Sequence, residues 1–198
     1  MFTYNYKVVS RLLLSASMVI MLASCTFYLS KSKSIDDQEE DNSILIFGYL
    51  DDTEAPFTME WGEVKQVRPA SDEPYKEMRS NNNGLFYLEN LPTGLYKVTT
   101  LSGPEKGLSQ NYWDWTMPSP SDDKAFKRME LKASKPGLYY VGSYKIKKIK
   151  DGGLFGVDKY ETIATKDVSE KKALQQLVKY ADGTKWEKLI KKRLAQLK

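Results

Sequence analysis

Between residues 43 and 101 the chain is a succession of short apolar stretches, each followed by turn-forming residues. That rhythm narrows the fold more than any other feature, because short strands with regular turns predict a β-sandwich rather than a parallel sheet. Ile44-Leu45-Ile46-Phe47-Gly48-Tyr49-Leu50 is apolar at successive positions, the pattern of a central strand buried on both faces. Phe57, Met59 and Trp61 alternate with Thr58 and Glu60, giving one buried face, and Gly62 marks a bulge or the strand's end. A less strongly patterned strand covers 75–79. Asn81-Asn82-Asn83-Gly84 tolerates positive φ and predicts a tight reversal. Leu85-Phe86-Tyr87-Leu88 follows, then the turn Asn90-Leu91-Pro92-Thr93-Gly94, then a strand over 95–101.

The stretch from Asn82-Asn83-Gly84-Leu85-Phe86-Tyr87-Leu88 through Glu89-Asn90-Leu91-Pro92-Thr93-Gly94-Leu95-Tyr96-Lys97-Val98 resembles the signature of carboxypeptidase-regulatory-like, or transthyretin-like, β-sandwich domains. The resemblance extends to Gly48-Tyr49-Leu50-Asp51-Asp52, which matches the family's first strand and its turn. It implies that Gly84 takes the strained turn position, that Phe86 and Leu88 enter the core, and that Tyr96 packs back over Pro92 and Gly94. Members of that family are mostly non-catalytic modules, so the resemblance implies fold and little else.

A loop rich in Pro, Gly and aromatics runs from Gly103 to Ser121, and strands resume over 126–132 with Met129 and Leu131 on one face. Lys135-Pro136-Gly137 turns the chain into a long strand over 138–146. Asp151-Gly152-Gly153 is a hairpin signal, with the returning strand over 154–163. Pro136-Gly137-Leu138-Tyr139-Tyr140-Val141-Gly142 is similar to a strand motif of small envelope lipoproteins. The C-terminal part is helical. Ser169 caps a segment with Ala173, Leu174, Leu177 and Val178 on one face, ending near Asp182-Gly183. Thr184-Lys185-Trp186-Glu187 is a capping box, and Trp186, Leu189, Ile190, Leu194 and Leu197 form an apolar stripe. Two helices this short bury their stripes against the sandwich or a partner. The predicted fold is therefore mainly β, an antiparallel transthyretin-like β-sandwich over 43–166 with a C-terminal amphipathic helical pair over 167–198 packed on it.

Ahead of this body, residues 1–24 hold two cations, Lys7 and Arg11, no acidic side chain, and an apolar run over 12–23. A basic start, a short apolar middle and a small-residue exit describe a secretory signal. Twelve residues rise only about 18 Å as a helix, against roughly 30 Å of hydrocarbon. The order Leu22-Ala23-Ser24-Cys25 is similar to the lipobox of bacterial lipoproteins, which implies that Cys25 is lipidated and becomes the first residue of the mature chain. Thr26 is not the aspartate that retains many such proteins at the inner membrane, which favours the outer membrane. Residues 26–42, with the acidic run Asp36-Asp37-Gln38-Glu39-Glu40-Asp41 and Ile35 as the one apolar residue after Leu29, predict a flexible, solvated tether.

Composition limits the chemistry. Cys25 is the only cysteine, so no disulfide forms within the chain and the fold rests on packing. There is no histidine, which removes Ser-His-Asp and Cys-His catalysis and His-ligated zinc. Net charge falls from +4 to +2 without Lys7 and Arg11, and nucleic acid is not an expected partner. No metal or cofactor site is read, since Asp51-Asp52 and Asp122-Asp123 lack the ligand count of a calcium loop. Tyr112-Trp113-Asp114-Trp115 in the Pro-rich loop has two readings: a glycan or cell-wall site built on Tyr112, Trp113 and Trp115, or rings that plug the loop onto the sandwich. The last helix, with Lys185, Lys188, Lys191, Lys192, Arg193 and Lys198 against Glu187, is either a solvated basic face or a surface for anionic head groups. Lys145-Ile146-Lys147-Lys148-Ile149-Lys150 reads as an exposed edge strand. The functional expectation is a lipid-anchored envelope protein, not an enzyme, that binds or assembles with other envelope proteins, with glycan binding as the alternative.

Overall fold

Most of the apolar stretches pair into strands, and in a computed structural model these strands share one hydrogen-bonded sheet; Phe57 and Met59 are buried outside the strands, Phe57 as an isolated bridge to Glu105. The structure describes residues 34–37, 42–81, 83–107, 111–116, 130–152 and 158–197. Its strands are β1 (Ile44–Asp51), β2 (Trp61–Arg68), β3 (Tyr75–Ser80), β4 (Leu85–Leu91), β5 (Gly94–Pro104), β6 (Tyr112–Thr116), β7 (Glu130–Ala133), β8 (Gly137–Lys150) and β9 (Lys159–Thr165). The order is β6-β5-β2-β3-β4-β1-β8-β9, with β7 also on β5. Every pairing is antiparallel except that of β1 with β8, so the sheet is mixed rather than wholly antiparallel. Parallel neighbours need a long crossover, and here the whole stretch from β2 to β7 supplies it.

β1 is central, as its unbroken apolar run requires, and alternation sends its residues to two cores. Ile44, Ile46 and Leu50 join Phe86, Met78, Val98, Tyr96, Tyr144 and Ile146 in an inner core within the curl of the sheet. Leu45 and Phe47 join Leu85 and Tyr87 on the opposite face. That outer face is covered by α1 (Glu170–Leu177), a 3₁₀ turn (Val178–Tyr180) and α2 (Lys185–Gln196). Ala173, Leu174, Leu177, Trp186 and Ile190 are all buried there. The helices begin where the caps predict: the Lys172 N–H donates to Ser169 Oγ at 3.3 Å and the Glu187 N–H to Thr184 Oγ1 at 3.2 Å.

Turn chemistry sets the register. Gly84 closes the β3–β4 reversal at φ +82, with the Leu50 carbonyl where a Cβ would stand. The Tyr96 hydroxyl donates to the Pro92 carbonyl at 2.6 Å and locks the β4–β5 corner, and Phe86 and Leu88 face the inner core. In β8, Gly142 at φ +115 carries an extra residue: Phe47 pairs with Tyr140 but Tyr49 with Ser143. This bulge shifts the inward-facing set from Tyr139 and Val141 to Tyr144 and Ile146.

Two expectations are corrected and a third is refined. The Pro-rich stretch after Gly103 is not all loop, because Tyr112–Thr116 pairs with β5 as β6; its aromatic and β-branched residues favour a strand over the turn residues around them. The lysine-rich run is an edge beyond Lys145: among the described residues β1 ends opposite Lys145, and from Ile146 to Lys150 β8 has β9 along one side only. Two of its cations are also paired, Lys145 with Glu54 at 2.9 Å and Lys148 with Asp158 at 2.8 Å. Within the expected tether, Ser34, Ile35, Asp36 and Asp37 are docked on the body.

Burial pushes the hydroxyls of Tyr87, Tyr96 and Tyr140 up to about 12. A folded pKa above the unfolded value means stability is fully present below pH 10 and is lost as pH rises through 12. In alkaline titration at constant denaturant, stability should fall across that window by roughly 2 kcal/mol for each buried ring. Tyrosinate absorbance from these rings should rise only near pH 12 or with loss of structure; full ionisation of the folded state near pH 10 would contradict this.

Candidate functional site

Of the candidate site residues Cys25, Tyr112, Trp113 and Trp115, only Trp113 has its side chain among the described residues. Cys25 lies outside the described residues. Tyr112 and Trp115 have their backbones in β6, opposite Pro104 and Leu101, while their side chains lie outside the described set. Trp113 is half-buried and packs against the inner core. For this ring the structure favours the plugging role over an exposed glycan platform.

What the structure does assemble is a docking site for residues 34–37. Ile35 is 3% exposed and sits in the outer core with Tyr87, Leu177 and Trp186. Its N–H donates to the Tyr180 carbonyl at 2.6 Å, the Asp36 N–H donates to Glu89 Oε1 at 2.9 Å, and Arg79 Nη1 donates to the Ser34 carbonyl at 2.8 Å. Asn90 Nδ2 donates to the Asp37 carbonyl at 2.9 Å. The Asp37 carboxylate accepts the Lys185 N–H at 2.7 Å, which adds a negative charge at the first turn of α2 beside the Thr184 cap. Four successive residues therefore bridge β3, β4, the 3₁₀ turn and α2. One signal of this was present in the sequence, a single isoleucine inside an acidic run.

The site is held by a buried charge. The Glu89 side chain is 3% exposed and forms an ion pair with Arg79. Arg79 also lies over the Tyr87 ring, 5.7 Å from its centroid, and reaches Asp36 at 3.5 Å. Tyr87 stacks on Tyr180 at 5.8 Å, and Asn81 Nδ2 donates to the Tyr180 hydroxyl at 3.0 Å. Glu89 Oε2 has no hydrogen-bond partner among the described residues. Alternation along β4 turns Glu89 toward the helical side, where the arginine and the Asp36 amide compensate its desolvation.

The helices that receive the segment present a basic outer surface. Lys171, Lys172, Lys179, Lys185, Lys188, Lys191 and Lys192 are exposed. Arg193 is held in a two-pronged pair with Glu170, at 2.8 and 3.1 Å. No helix among the described residues is long and apolar enough to cross a membrane. Beside α1, a cleft of about 420 Å³ is lined by Tyr49, Asp51, Asp52, Asn83, Gln176 and Lys179, among others. Its aspartates are turn acids: Asp51 Oδ1 accepts the Thr53 N–H at 2.9 Å and Asp52 Oδ2 accepts the Met59 N–H at 2.8 Å. Burial alone would raise the Asp51 carboxyl, but the Thr53 bonds and nearby Lys145 outweigh it and hold it below the usual carboxylate range.

No family model matches the chain, and no curated protein or solved structure matches it with significance.

Removing one member of the buried pair should cost far more than removing both. Arg79→Ala strands Glu89 in the outer core and should destabilise the fold by roughly 3–5 kcal/mol, whereas Arg79→Ala with Glu89→Leu should recover most of that loss. Urea denaturation of the variants measures the difference. Equal, additive losses would mean that the two charges are not coupled.

Proposed function

We propose that this chain is a lipid-anchored protein of the cell envelope, attached through Cys25 after removal of residues 1–24, with the outer membrane favoured over the inner. Its role is to bind or assemble with other envelope proteins, not to catalyse a reaction. The docked segment at 34–37 carries the reading, because it fastens the chain arriving from Cys25 to the folded body. A body fixed in this way stays close to its point of attachment, as an assembly component must. The β4–β5 corner, with Tyr96 bonded back to Pro92, supports a relation to transthyretin-like domains in which the layers run on as one sheet. The glycan alternative keeps one supporting observation, that β6 lies at an end of the sheet. It predicts a change in tryptophan fluorescence with cell-wall fragments that Trp115→Ala abolishes.

Expression of the full chain and of Cys25→Ser in a Gram-negative host tests the anchor. The unaltered protein should sediment with membranes and give an intact mass for a chain starting at Cys25 with acyl chains added. The serine variant should leave the membrane fraction and lose its crosslinks to envelope proteins. An unmodified Cys25 in membrane-extracted protein would end the proposal.

A further inference from the structure

We infer that the helical layer is the surface this protein turns toward the bilayer, with its exposed lysines on anionic lipid head groups. The inference rests on the anchor at Cys25 proposed above and adds an orientation to it. Two observations carry it, one of reach and one of charge.

The segment that follows Cys25 meets the body at the junction of the helices, through the Tyr180 carbonyl and the Lys185 N–H. Nine residue steps separate Cys25 from Ser34, which span at most about 32 Å when fully stretched. The unit Ser34–Lys198, at the size its length implies, has a radius of about 20 Å. A path from the docking point around to the opposite pole is then about 60 Å, twice the available chain. With Ile35 docked, the far side of the sheet cannot be turned to the membrane. The helical side can.

The same side carries the charge. Residues 170–197 hold eight Lys and Arg against three Asp and Glu. Two of those acids are already engaged, Glu170 by Arg193 and Glu187 by Lys191. Lys185, Lys188, Lys191 and Lys192 are exposed on α2, opposite the buried Trp186 and Ile190. Tethering raises the local concentration of head groups at this face, so cations too few to hold a soluble protein on a membrane still fix the orientation of an anchored one.

The test uses the full lipidated protein in vesicles of phosphatidylethanolamine and phosphatidylglycerol containing nitroxide-headed lipid. A fluorophore is attached at Ala195→Cys on the outer face of α2, or at Glu130→Cys on β7, outside the strands that the helices pack on. Both proteins should float with the vesicles, with the Ala195 label quenched at least about threefold more than the Glu130 label. In the background Lys185→Glu, Lys188→Glu and Lys192→Glu the protein should still float, and the contrast should shrink. Flotation with equal quenching, or stronger quenching at position 130, overturns the orientation while leaving the anchor standing. Failure to float overturns the anchor and the orientation with it.

Discussion

Burial of β1 on both faces is the constraint on which the rest of the structure depends. Hydrogen-bonded to β4 on one side and to β8 on the other, it sends Ile44, Ile46 and Leu50 into one core and Leu45 and Phe47 into a second. A strand with apolar residues on both faces must be covered twice. The curl of the sheet covers one face, and the helices cover the other. The short C-terminal helices, too short to persist alone, exist because β1, β4 and β8 offer them an apolar surface.

That second core explains why residues 34–37 are docked at all. Where the helices meet, Tyr87, Tyr180 and Trp186 leave room for one more aliphatic side chain, and Ile35 fills it. The backbone of the same segment gives Glu89 Oε1 an amide and Arg79 a carbonyl, while Glu89 Oε2 stays without a partner among the described residues. The acidic neighbours are used rather than merely solvated, since Asp37 complements the N-terminus of α2. The segment thus joins the N-terminal side of the chain to the helical layer through one core.

Much of the fold was legible in the sequence because its signals are local. The unbroken run of β1, the Asn81 to Gly84 reversal, the Tyr96 corner and the caps at Ser169 and Thr184 each rest on neighbouring residues. The parallel pairing of β1 with β8 was not legible, because strand order is a long-range property and β8 has apolar residues enough to sit beside several partners. The bulge at Gly142 hid a change of face inside one continuous apolar stretch. The lysines of β8 marked an edge beyond Lys145, but not their own partners, since Glu54 is distant in sequence and Asp158 is placed by a hairpin. Ile35 was visible as a lone apolar residue in an acidic run. Composition alone assigned that run to solvent, because the pocket that receives Ile35 is built from β4 and helices far along the chain.

The proposed anchoring requires residues 34–37 to stay fastened to the body in the lipidated protein. Hydrogen exchange at the Ile35 and Asp36 amides of the full lipidated chain measures this directly, since both are donors to the body. Protection of at least about a hundredfold over an unstructured peptide is the predicted result. Exchange at the unstructured rate, with the core of β1 still protected, would contradict it.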